Sequence, residues 1–153
     1  MAGDSSNKAL ARRLYEEVFQ KGNLAAADEI LTADFINHIP VPGAPALRGT
    51  EGIKRFAAAV LEAFPDHEVV LEDQVAEDDR VVSRWTIRGT HSGQLALPNL
   101  PPVPPSGKRF EMTEIRIDRI AEGKIGESWF VYDRLSWLQQ LGALPLPDSS
   151  SRR

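Results

Sequence analysis

The chain has no cysteine in its 153 residues. That absence excludes a disulfide framework, a zinc ribbon, a thiol nucleophile and a redox pair. Histidine is scarce too: His38, His67 and His91 are a thin supply for a structural metal site. No apolar run approaches the ~18 residues that a membrane span requires. The opening MAGDSSNKAL has neither the basic nor the apolar region of a secretory signal, so a cytoplasmic location is the default expectation. Positive charge is not in excess. The net charge is −4 and the pI is near 5.4, whereas a nucleic-acid partner calls for a basic stripe.

What is present suits one core. Apolar residues make up 42% of the chain, and domains cluster around ~100–150 residues. One domain over 1–153 is expected, with a core over about 8–145 and a frayed tail at 146–153. Leu10, Leu14, Tyr15, Val18 and Phe19 form a helical stripe behind the candidate caps Asp4 to Asn7, and Gly22 ends it. A short helix follows from Leu24 to about Leu31, then a brief extended piece from Phe35 to Pro40. Beyond the Pro/Gly-rich stretch 40–49, Thr50 can cap a third helix. Its Ile53, Phe56, Ala57, Val60, Leu61 and Phe64 give the cleanest helical period in the chain.

From Glu68 the period becomes two. Strands are expected over Glu68–Ala76, Arg80–His91, Lys108–Ile120 and Ile125–Tyr132. The proline-rich 94–107 reads as a wide, stiff connection. Asp133 then caps a last helix, Leu135–Leu141, stopped by Gly142. Helices first and a strand meander after them are the pattern of α+β packing. Apolar residues occur on both faces of the strands, so the face away from the helices is expected to be covered as well, by a partner subunit.

Several side chains could carry chemistry. Asp133 suits a helix cap, a role that stabilises by ~1 kcal/mol. Beside Trp129 and Val131 it also suits a carboxyl whose pKa burial would raise. Arg84, in mid-strand, covers apolar neighbours if it faces outward. If it faces inward it needs a carboxylate, for which Asp133 and Glu114 are available. His38, beside Asn37, and His91, in Gly89-Thr90-His91-Ser92-Gly93, are structural hydrogen-bonders or site residues. His67-Glu68 lacks the second histidine of a zinc-protease helix, and no nucleophile elbow or phosphate loop is present.

Five motifs together resemble the SnoaL-like polyketide cyclases, the predicted ester cyclases. They are Phe35-x-x-His38, Phe64-Pro65-Asp66, Arg84-Trp85-x-x-x-Gly89-Thr90-His91-x-Gly93, Gly123-Lys124-Ile125-x-Glu127-x-Trp129-x-x-x-Asp133, and Gln140-Leu141-Gly142. The resemblance implies an NTF2-like (cystatin-like) cone. In it a strongly curved, antiparallel-rich sheet carries about three N-terminal helices on its concave side and a short C-terminal helix. It further implies ring closure of a polyketide-like ester by intramolecular aldol condensation, without metal or organic cofactor, and a homodimer formed through the open sheet face. Asp133 falls at the family's acid/base position, with His91 and His38 as assisting candidates. Arg84, Trp85, Asn37, Glu114, Trp129, Phe64 and Tyr15 make the expected substrate-contacting set. The cone also hosts binding modules without catalysis. A ketosteroid-isomerase-like enzyme could use Asp133, and an epoxide hydrolase would pair Arg84 with Asp133, although Thr86 stands where its second aspartate is sought.

Overall fold

The structure is a computed structural model that describes residues 2–97 and 100–145. The expected frayed tail 146–153 lies outside the described residues, as do Pro98 and Asn99 of the proline-rich connection. The first helix, α1 (Ala2–Arg13), runs on through a wider π-helical segment, Leu14–Gln20, that buries Leu14, Tyr15, Val18 and Phe19. A 3-10 turn (Leu24–Ala26) leads into α2 (Ala27–Ile30) and β1 (Leu31–His38). Strand β1 is therefore longer than the expected extended piece, because Leu31 and Phe35 are anchored in the core. A two-residue strand, β2 (Leu47–Arg48), precedes α3 (Gly49–Ala63).

Strands β3 (Glu68–Glu77), β4 (Arg80–Thr90), β5 (Arg109–Ala121) and β6 (Lys124–Tyr132) fall within two residues of the expected ranges, and α4 (Arg134–Gln140) closes the described fold. Among the described residues the strands form one six-stranded sheet in the order β2-β1-β6-β5-β4-β3. Strand β1 runs parallel to β6; the other pairings are antiparallel. The sheet is thus mixed and open, with the helices on one face, as the α+β expectation required.

The core lies between that face and the helices. Ile53 and Ala57 of α3, with Phe64 just past its end, share one cluster with Phe35, Trp85, Ile87 and Ile125 from the strands. Each large side chain buried there contributes ~1.5–3 kcal/mol. Alternation selects the inner set: Val81, Ser83, Trp85 and Ile87 on β4, and Ser128 and Phe130 on β6.

Strand β5 reverses the usual polarity. Its inner face carries Phe110, then Glu114, Arg116 and Asp118, while Ile115 and Ile117 point outward. On the outer face the registers align Val75, Val82, Ile117 and Trp129 in one row across four strands. Ile115 and Val131 form the next pair in that apolar strip.

The proline-rich connection is tied down at both ends. Leu95, fully buried, exchanges backbone hydrogen bonds with Val103 at 2.9 Å. The Gly107 N–H donates to the His91 carbonyl at 2.8 Å. Gly93 sits so close to the end of α3 that an added Cβ would lie 1.9 Å from the Glu62 carbonyl oxygen.

Candidate active site

A cavity of about 820 Å³, its open mouth included, lies between the helices and the inner face of the sheet. Its walls are mainly apolar, with Phe19, Phe56 and Val60 on the helical side and Phe110 and Phe130 on the sheet. Trp137 of α4 closes one side, packing edge-on against Phe64, Phe110 and Tyr132 at 5.9–6.2 Å between ring centroids.

Into this apolar space β5 and its neighbours direct a small polar group. Glu114 is 5% exposed and its Oε1 has no hydrogen-bond partner. Burial pushes its carboxyl up to about 8; the Arg116 charge opposes that rise and the Asp118 charge adds to it. Arg116, 2% exposed, donates from Nε to Asp118 Oδ1 at 2.8 Å. The Ser128 hydroxyl donates to the same oxygen. The Arg116 guanidinium carbon also lies 5.2 Å from the centre of the Tyr15 ring. Two more unpaired polar atoms, Asn37 Oδ1 and Trp137 Nε1, belong to cavity-lining side chains.

Buried polar atoms without partners are few in folded proteins, and each one costs stability. Their concentration around one cavity marks a place built for a ligand. Chemically, the group combines a carboxyl able to exchange a proton near neutral pH, a fixed cation and an amide oxygen. Among the described residues no three His, Asp or Glu side chains are placed to hold a metal ion.

The structure brings together four residues of the expected set: Tyr15, Asn37, Phe64 and Glu114 all line the cavity. The others lie elsewhere, which corrects their expected positions. Asp133 is exposed and caps α4, accepting from the Ser136 N–H at 2.9 Å. It follows the inward-facing Tyr132 just where the chain leaves the sheet, so alternation carries it away from the cavity. Arg84 points outward and pairs with Asp73 at 2.7 Å, not with Asp133 or Glu114.

Trp129 is also on the outer face, with the His38 ring stacked on one side at 5.1 Å and Arg80 over it at 5.2 Å. His38 Nε2 meets Glu127 Oε2 at 2.8 Å. Trp85 is in the core behind Tyr15, at 4.7 Å between rings. His91 is fully buried, with Nδ1 3.0 Å from Ser106 Oγ, where it pins the proline-rich connection. Burial holds its pKa below the ordinary histidine value. Arg116, Asp118 and Ser128 were absent from the expected set. The signal for the first two was the run Glu114-x-Arg116-x-Asp118, which puts both signs of charge on one strand face.

An open mixed sheet with helices on one face and a blind apolar pocket between them defines an NTF2-like α+β protein. The comparisons narrow that class. A family model described as SnoaL-like polyketide cyclase matches residues 9–141. The aklanonic acid methyl ester cyclase DnrD of Streptomyces peucetius is 31% identical over 137 residues, covering 87% of this chain and 88% of that protein. Among solved structures, TsrD from Streptomyces laurentii superposes with a TM-score of 0.77 at 28% identity, over 92% of this chain and 97% of that one. IdmH from Streptomyces antibioticus does so with a TM-score of 0.72 at 31% identity, over 89% and 98%. The chain belongs to the SnoaL-like polyketide cyclase family and is an enzyme of the cyclase type.

Proposed function

We propose that this chain closes a ring in a polyketide-like ester by a cofactor-independent intramolecular aldol addition, with Glu114 as the acid/base. The observation that carries the reading is a buried carboxyl, titrating near 8, that lines an otherwise apolar cavity. A proton-transfer group works best when its pKa lies near the working pH.

Glu114, ionised, takes the proton from a carbon flanked by two carbonyls, leaving an enolate. The enolate carbon then attacks a ketone carbon of the same molecule. As the new C–C bond forms, the carbonyl π pair moves to oxygen, and Glu114 returns its proton to that alkoxide. The product is an isomer of the substrate, so the step needs no oxidant, reductant or second substrate. Tyr15, Asn37 and Phe64 contact the substrate from the cavity wall, and Asp133 acts in folding by capping α4. The outer strip of Ile115, Ile117, Trp129 and Val131 supports a homodimer through that face, since apolar strips of this kind mark association surfaces.

The test uses aklanonic acid methyl ester, the compound named for the relative DnrD. Incubation should give a product of unchanged mass and altered chromatographic retention, and Glu114→Gln should abolish it. If neither this ester nor other polyketide methyl esters isomerise, the reading fails. If Asp133→Asn stops turnover while Glu114→Gln keeps it, the acid/base belongs at Asp133.

A further inference from the structure

Arg116 has no part in the proton transfers, yet it is a tightly held charge at the cavity. Its Nε is bonded to Asp118, Asp118 is bonded in turn to Ser128, and the guanidinium lies over the Tyr15 ring. Those contacts fix the guanidinium and leave its Nη2 buried and unpaired in a residue that lines the cavity. A buried cationic donor without an acceptor is costly to keep unless a ligand supplies the acceptor.

The charges around it favour a ligand oxygen that bears negative charge. Asp118 balances the Arg116 charge from the Nε side. The other titratable or charged groups at the cavity are Glu114 on the same strand, Tyr15 from the first helix, Tyr132 from β6, Arg134 from α4, and His67 before β3. Burial keeps Glu114 and Tyr132 protonated and His67 uncharged near neutrality. An incoming anion therefore meets fixed donors and no uncompensated carboxylate.

We propose that Arg116 is the oxyanion holder of this pocket, its Nη2 receiving the oxygen of an enolate or phenolate. The site then selects fused-ring phenols and 1,3-dicarbonyl compounds in their ionised form. The ligand's acidic proton and the Glu114 proton become alternatives, because the pocket accommodates one new negative charge and not two. The idea rests on the cyclase reading only in that the enolate is its intermediate; binding tests it without turnover.

The probe is alizarin, a three-ring phenol whose visible absorption moves to longer wavelength on ionisation. Bound to the wild-type protein, its apparent acid dissociation constant should rise at least tenfold over that of the free dye. Arg116→Met should remove that rise while the neutral dye still binds. The single change strands Asp118 as a buried charge, so the paired Arg116→Met/Asp118→Asn variant is titrated alongside and should behave the same way.

Arg116→Lys should restore part of the rise and lower kcat more than it raises KM. The inference is overturned if the wild-type protein fails to bind the dye or binds it with an unchanged ionisation constant. It is equally overturned if the paired variant keeps the rise. A protein that ionises the dye but forms no cyclised ester removes the cyclase reading alone. One that cyclises at full rate without Arg116 removes this inference alone.

Discussion

Glu114 lies directly across the β5–β6 ladder from Tyr132, and both side chains face the cavity. Burial raises the pKa of each above its ordinary value, so two proton-bearing groups stand side by side in an apolar space. One residue beyond Tyr132 the chain leaves the sheet, and Asp133 turns to the start of α4. A buried carboxyl in the cavity and an exposed carboxyl capping α4 thus stand in opposite environments at the end of the β5–β6 ladder.

Replacing the two carboxyls should separate those jobs. Glu114→Gln should cut kcat by about 100-fold or more, the scale of a lost general acid/base, without lowering Tm. Asp133→Ala should leave kcat within about threefold while costing ~1 kcal/mol of stability. Steady-state kinetics and thermal melts on both variants check the contrast.

The pH dependence of turnover follows from the same carboxyl. The free enzyme needs ionised Glu114 to accept the carbon-bound proton, so kcat/KM should rise with pH and level off above about 8. A profile that falls between pH 6 and 8 contradicts the order of proton transfers.

Stability should move the other way. The folded pKa of Glu114 is raised from 4.5 to about 8, so its contribution is fully present below about 4.5. It is lost as pH rises toward 8, because the unfolded chain ionises first. Each pH unit across that window removes ~1.4 kcal/mol. Denaturant midpoints of wild type should fall relative to Glu114→Gln between pH 5 and 8, and parallel curves contradict the assignment.

The outer strip predicts association. Val75 and Val131 are 63% and 58% exposed, and Ile115 and Ile117 lie between them. Light scattering should give twice the chain mass of 16.9 kDa, and Ile117→Lys should return it to that value. A wild-type monomer rules out the dimer.

Gly93→Ala should destabilise whatever the function proves to be. The new methyl would lie 1.9 Å from a backbone oxygen that cannot swing aside. Overpacking of this kind costs ~1–3 kcal/mol or more, readable as a Tm fall of ~5 °C or more.

Periodicity made the long strands legible, because Val, Ile, Trp and Thr alternate through β3, β4 and β6 under a single constraint. Strand β2 escaped notice because two residues carry no period, and Leu47-Arg48 sit among prolines and glycines. The cavity residues were harder to find. In Glu114-Ile115-Arg116-Ile117-Asp118 the isoleucines look like the buried face, and the rule that apolar side chains point inward assigns the strand backwards. The helix-facing cavity on one side and the proposed partner on the other reconcile charged residues inside with isoleucines outside. Asp133 lies outside the cavity for a related reason: a motif fixes its place in the chain, whereas its environment depends on whether the strand has already ended.

The parallel pairing of β1 with β6 has a kinetic consequence. It sets Asn37 opposite Ser128 and His38 opposite Trp129, joining the first strand of the sheet to the last. Contacts so distant in sequence close a very large loop and form slowly. During synthesis α1, α2, α3 and β1 leave the ribosome long before β6 exists, so the polar floor of the cavity is assembled only when the chain is nearly complete. A nascent chain halted before Lys124 has the wall residues of α1 to α3 but neither Trp137 of α4 nor the strand that sets Asn37 beside Ser128.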